Sequence, residues 1–243
     1  MRGLLRHKDL GSELPIVFCH PKEWNGRTII WVSRNGKSSL YHNDGALRPD
    51  PKRLVDSGAT VIGVDLLYQG EFLADGKTLT RVPKVKNPRE AAAYSFGYNN
   101  TVFVQRVHDV LSVVKFVRNH EKKSTSIAIL GLDGAGHIAA AARAIAGDAV
   151  NVAAIDTAGF RFLEVKDIYS PDLLPGGAKY GDVPGLLAMA APGRLWVGGE
   201  SATSLELAQR MYKSSGAESA LTVYPGGSEM AQSEAVKWLL ALP

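Results

Sequence analysis

Apolar residues change their period along this chain, and each change marks an element. Runs rich in β-branched and aromatic residues cover 15–20 and 28–33, and the turn residues between them, centred on Asn25-Gly26, predict a hairpin. Pro49-Asp50-Pro51 predicts a short helix with Asp50 as its N-cap, ending at Gly58. Residues 59–67 read as an apolar strand interrupted by Asp65, near the strand's carboxyl end, where parallel sheets present polar groups to ligands. Then comes Tyr68-Gln69-Gly70-Glu71-Phe72, followed by about twenty-five residues without periodicity, up to Gly97; a loop of that length is a lid or a surface excursion.

Val102, Val104, Val107, Val110, Leu111, Val114 and Val117 recur at three- and four-residue spacing and predict an amphipathic helix over 99–120. It carries His108 and Asp109, and the histidine is expected to be a hydrogen-bonded structural residue. The apolar run 127–130 enters the glycines Gly131, Gly134 and Gly136 and leaves as an alanine-rich helix. Further strands are predicted over 150–156, 194–197 and 220–224, and helices over 183–190, 204–212 and 230–242. Strands alternating with helices after an initial hairpin predict one α/β domain, 1–243, with a doubly wound, mostly parallel sheet.

Composition agrees with this reading, since 45% hydrophobic and 21% charged residues over 243 positions suit a globular protein with a large core. The net charge of +4 divides into +8 over residues 1–126 and −4 over 127–243. The densest basic run, Lys77, Arg81, Lys84, Lys86 and Arg89, is broken by Pro83 and Pro88 and lacks interleaved aromatics, so it reads as a solvated loop and not a nucleic-acid surface. No apolar run approaches the ~20 residues of a membrane span. The single cysteine, Cys19, excludes an intrachain disulfide and reads as a buried thiol. The abrupt opening, MRGLLRHKDL, suggests a piece of a longer polypeptide.

The chemistry concentrates at 126–146. Strand, sharp turn and helix follow one another, and Asp133 falls at the apex, where the backbone needs a residue tolerant of positive φ. Its carboxylate would sit beside the start of the following helix, whose dipole stabilises negative charge by roughly 0.3 to 1 kcal/mol. Gly131-Leu132-Asp133-Gly134-Ala135-Gly136 also approximates a dinucleotide fingerprint, with Asp156 twenty residues on where a ribose-binding acid would fall. Against that alternative, Asp133 replaces the second glycine with a Cβ and a negative charge.

The segments DLLYQGEF, GYNNTVFVQRVHDVLSVV, GLDGAGHIAAAARA, AIDTAGFRF and LPGGAKYGDVPGLL together resemble the α/β hydrolases related to acetyl xylan esterases and dienelactone hydrolases, in particular the C-terminal domain of larger two-domain bacterial members. The resemblance implies an α/β-hydrolase fold and places Asp133 at the nucleophile elbow, where the family carries serine in G-x-S-x-G. It places Ser33 and Arg34 in the loop that supplies an oxyanion-hole N–H, Glu200 or Asp156 at the acid, and Ser228-Glu229 where the family has its histidine. Asp65 and Gly134 complete the expected pocket.

All six histidines precede residue 138. Serine-type acyl transfer needs a base to take the hydroxyl proton and return it to the leaving group, and here serine and histidine are both replaced. The resemblance therefore implies a degenerate triad in an accessory or esterase-like domain, with a partner domain or a small ester or carbohydrate as what it contacts, and no cofactor or metal. The alternative is a carboxylic ester hydrolase using Asp133, with Glu229 as base. Trp24, in the turn beside Asn25-Gly26, is the candidate for an exposed sugar-stacking aromatic; Trp31 and Trp196 read as core.

Overall fold

The computed structural model describes residues 1–8, 11–83 and 99–242. Among them, Arg2–His7 (β1), Ser12–Cys19 (β2), Arg27–Ser33 (β3), Thr60–Val64 (β4), Ser126–Leu132 (β5), Val152–Asp156 (β6), Arg194–Gly198 (β7) and Leu221–Val223 (β8) form one sheet in the order β1-β2-β4-β3-β5-β6-β7-β8. The strands from β4 across to β8 run parallel, and β2 is antiparallel to both its neighbours. This is the mostly parallel, doubly wound sheet that the alternation predicts.

The N-terminal hairpin exists but uses different strands. Residues 15–20 and 28–33 do not pair; β4 lies between β2 and β3, and β2 makes its hairpin with β1. The turn at Asn25-Gly26 is real but carries the chain across the sheet. The strand β1 has no clean alternation to announce it, because it is an edge strand with mostly exposed side chains.

Pro49–Asp56 (α1), Val102–Asn119 (α2), Gly136–Ala146 (α3), Asp182–Ala188 (α4), Glu206–Ser214 (α5) and Ser228–Ala241 (α6) cover the sheet. Alternate residues of each strand feed opposite faces. Ile30, Val32, Ile62, Val64 and Ile129 pack with α2 to α5 on one side. Ile29, Trp31, Val61, Leu130 and Trp196 pack with α1 and α6 on the other. The central parallel strands are apolar on both faces because helices cover both.

Asp50 is not the N-cap of α1. Arg48 holds that position in extended backbone, Pro49 opens the helix, and Asp50 accepts a 2.8 Å hydrogen bond from Gln232 Nε2 of α6. In α2 the cap is Thr101, whose Oγ1 accepts from Val104 N at 3.3 Å. His108 is exposed on α2 and so is not the buried structural residue expected. Cys19 is buried, and Trp31 and Trp196 lie in the core. Trp24 is exposed, with Nε1 donating to Arg27 O. No helix among the described residues is long and apolar enough to cross a membrane. Most of the expected loop up to Gly97, with Lys84, Lys86, Pro88 and Arg89, lies outside the described residues.

Candidate functional site

The last residue of β5 is followed by two left-handed residues, Asp133 at φ +50° and Gly134 at φ +76°, before α3 begins. Strand and helix meet closely here. A Cβ on Gly131 would collide with Ala139 Cβ, and one on Gly136 with the Asp156 carbonyl. These two glycines are accounted for by helix–sheet packing. Aspartate is among the few side chains that tolerate the αL region, which is how it occupies the apex.

The loop after β3 wraps this turn. Asp133 Oδ2 accepts from Ser33 Oγ at 3.0 Å and from Asn35 Nδ2 at 2.7 Å, while Asp133 O accepts from Arg34 N at 3.2 Å. Asn35 N donates in turn to Ser33 Oγ, and Lys37 N to Asp65 Oδ1. The N–H groups of Arg34, Asn35 and Lys37 are thus each taken by groups of the protein. Asn35, which no motif in the sequence marks as a site residue, makes the shorter of the two bonds to Asp133.

His137 faces elsewhere. It is buried in α3, stacked on Phe160 with ring centroids 3.9 Å apart, and its Nε2 lies 3.0 Å from Asp172 Oδ1. Burial would raise the Asp172 carboxyl. Its hydrogen bond with His137, together with the charges of His137, Arg106 and Arg34, outweighs that and holds it below the ordinary carboxylate value.

The remaining predicted positions separate into their own networks. Glu200, just after β7, has a fully buried side chain, and Arg161 grips it bidentately: Nη1 donates to Oε1 at 2.8 Å and Nη2 to Oε2 at 2.6 Å. Thr157 Oγ1 donates to Oε1 and Ser204 Oγ to Oε2. Burial pushes this carboxyl up, and the bonds from Arg161, Ser204 and Thr157 more than reverse the shift, leaving it below the usual range. Asp156 is buried and caps its own turn, with Oδ1 accepting from Ala158 N. Asp65 is buried and ties two loops together, accepting from Lys37 N, Lys37 Nζ and Glu71 N. Ser228 and Glu229 are exposed in the first turn of α6.

A cavity of about 230 Å³ opens beside the Asp133 turn. Gly134, Arg34, Gln69, Thr78, Arg106 and Asp172 are among its lining residues. Gln69 Oε1 accepts from Leu66 N at 3.1 Å, and Arg106 Nε donates to Leu67 O at 3.0 Å. Burial lowers the Arg106 guanidinium from its ordinary value, against the opposing pull of Asp172. The sequence carried one sign of this site. Arg106 stands four residues after Val102 and four before Val110, so a cation occupies the apolar face of α2. Among the described residues no cluster of histidine, cysteine and carboxylate side chains could hold a metal ion.

Solved structures share this arrangement over nearly the whole chain. The chain has the α/β-hydrolase fold. A protein assigned as a dienelactone hydrolase from Klebsiella pneumoniae superposes with a TM-score of 0.57 at 14% identity, covering 99% of this chain and 97% of that one. One assigned as an acetyl xylan esterase from Bacteroides fragilis gives 0.62 at 13%, covering 91% and 67%. A Pyrococcus furiosus esterase gives 0.59 at 15%, covering 98% and 89%. At these identities the likeness is one of fold. No protein-family model matches the sequence, and no curated protein matches it.

Proposed function

We propose that this α/β-hydrolase-fold chain is an esterase-like domain of the carbohydrate-esterase type that lacks the serine–histidine pair and acts as an accessory domain. The observation that carries the reading is the environment of Asp133. The carboxylate at the turn is bonded by Ser33 and Asn35, while His137, four residues on, is bonded to Asp172. A fixed negative charge there opposes the oxyanion of acyl transfer, and a nucleophile without an adjacent base does not turn over.

Glu200 supports the same reading. Both of its oxygens are engaged by Arg161, Thr157 and Ser204, so orienting an imidazole would require breaking a bidentate ion pair. Structures assigned as a dienelactone hydrolase and an acetyl xylan esterase make small esters the substrate class to try. The test is hydrolysis of p-nitrophenyl acetate by the purified chain, expected to match the buffer rate. Turnover that disappears in Asp133→Ala would overturn the proposal in favour of the ester hydrolase that pairs Asp133 with Glu229.

A partner domain in a longer chain belongs to this reading, since the acetyl xylan esterase-like structure extends beyond the part that this chain matches. The dinucleotide reading has less support. Gly131 and Gly136 are needed for packing, and the Asp156 carboxylate is buried in its own turn.

A further inference from the structure

We propose that the cavity beside the Asp133 turn binds a small monocarboxylate, held by Arg106 and Gln69 with Arg34 at its edge. This stands apart from how Asp133 is read, because it rests on different side chains.

Arg106 and Gln69 are 3% and 1% exposed, and among the described residues each retains a buried donor without a partner, Nη2 of Arg106 and Nε2 of Gln69. Both residues line the same cavity. Buried donors are almost always satisfied, and two orphans on residues that line one cavity point to an acceptor supplied from outside. Arg106 Nε is committed to Leu67 O and Gln69 Oε1 to Leu66 N, while Arg106 Nη1 lies 3.8 Å from Asp172 Oδ1. Those bonds fix both side chains in place, so the orphan donors are preorganised for a ligand.

Charge selects its class. Among the described lining residues, Arg34 and Arg106 bring two guanidinium groups against one carboxylate, Asp172, which lies 3.8 Å from Arg106 Nη1 and is bonded to His137. The excess positive charge suits a monoanion. A phosphate, with more than one negative charge on average near neutral pH, would bring more charge against Asp172 than a carboxylate does. A planar acceptor-only carboxylate also matches guanidinium geometry. The volume of about 230 Å³ falls below the ~300 Å³ where pockets for drug-sized ligands begin, so the ligand is small. Thr78, Thr80 and Ser170 add hydroxyl-bearing residues to the wall, and Leu79, Ile138 and Pro171 give it an apolar part.

The test is isothermal titration of the whole chain with propionate and benzoate, alongside benzamide and inorganic phosphate. Saturable binding of a carboxylate is expected, with benzamide and phosphate at least about tenfold weaker, as for loss of a charge-assisted pair. Gln69→Glu keeps the acceptor for Leu66 N but replaces the orphan donor with an anion, and should abolish binding. Arg34→Ala, at an exposed position, should fold normally and weaken binding about threefold. Circular dichroism melts of both variants separate lost binding from lost folding. No saturable carboxylate binding to the unmodified chain would overturn the proposal. So would phosphate or benzamide binding as well as the carboxylates, or undiminished binding by folded Gln69→Glu.

Discussion

Asn35 Nδ2 donates to Asp133 Oδ2 at 2.7 Å, binding the loop after β3 to the turn after β5. With Ser33 donating to the same oxygen, the carboxylate acts as a clasp between two neighbouring strands that run parallel. The same aspartate sits at φ +50°, a conformation that disfavours most side chains. The clasp and the strain therefore oppose each other at one residue.

That opposition can be measured. Asp133→Ala loses both hydrogen bonds and keeps a Cβ in the left-handed region, so it should destabilise by about 2 kcal/mol. Asp133→Gly loses the same bonds but relieves the backbone, and should be about 1 kcal/mol more stable than the alanine variant. Urea unfolding midpoints check the order. Equal midpoints would show that the turn is not strained.

Placing a serine at the turn should not by itself create ester hydrolysis. Asp133→Ser leaves His137 bonded to Asp172 and leaves no histidine after residue 137, so its hydroxyl has no base. The expected result is a p-nitrophenyl acetate rate equal to that of the unmodified chain, and no labelling by an organophosphonate probe. Stoichiometric labelling would show that a base reaches the turn.

Breaking the buried pair at Glu200 should cost stability in a pH-dependent way. Glu200→Gln leaves Arg161 without its carboxylate; since Arg161 is partly exposed, the cost should be about 1–3 kcal/mol at neutral pH. The folded-state pKa of Glu200 lies below the ordinary 4.5, so its contribution is complete above that value and is lost as pH falls through the folded pKa. Melts of the two proteins should be well separated at pH 7 and converge in strong acid. A constant gap across that range would place the effect in packing.

Asp109 should behave in the opposite sense. Burial raises it to about 6, against the lowering effects of its bond from Leu67 N and of the Arg106 charge. The fold therefore favours the protonated form, and that advantage is complete below the ordinary 3.8 and is lost as pH rises through about 6. Asp109→Asn, which keeps an acceptor for Leu67 N, should be more stable than the unmodified chain by about 1–3 kcal/mol at pH 7 and equal to it near pH 3. Chemical denaturation at the two pH values checks the sign.

Period and glycine placement made the parallel core and the turn at Asp133 legible in the sequence, because buried strands and tight helix–strand contacts leave local marks. The pairing of β2 with β1 was not, since an edge strand needs no apolar face and β4, which enters between β2 and β3, follows β3 only after 26 residues. Glu200 could be placed after its strand, but its partner Arg161 lies on another loop, 39 positions earlier, with no spacing rule to link them. Arg106 could be noticed as a cation on an apolar face. Gln69 could not, because its burial depends on Tyr68 turning the chain at φ +61°.

The contact between β5 and α3 gives a prediction about reach. A methyl on Gly131 meets the Ala139 side chain, whereas a methyl on Gly136 meets the backbone carbonyl of Asp156. Side chains can be trimmed and backbones cannot. Gly131→Ala should destabilise by about 1–3 kcal/mol, the usual range for overpacking, and Ala139→Gly in the same chain should recover part of the loss despite weakening the helix by about 1 kcal/mol. Gly136→Ala should cost more than 3 kcal/mol by displacing α3 from the end of β6, and no single side-chain truncation should rescue it. Thermal melts of the two single variants and the double variant decide the matter. A Gly136→Ala chain as stable as the unmodified one would mean that α3 does not pack tightly against the Asp156 backbone.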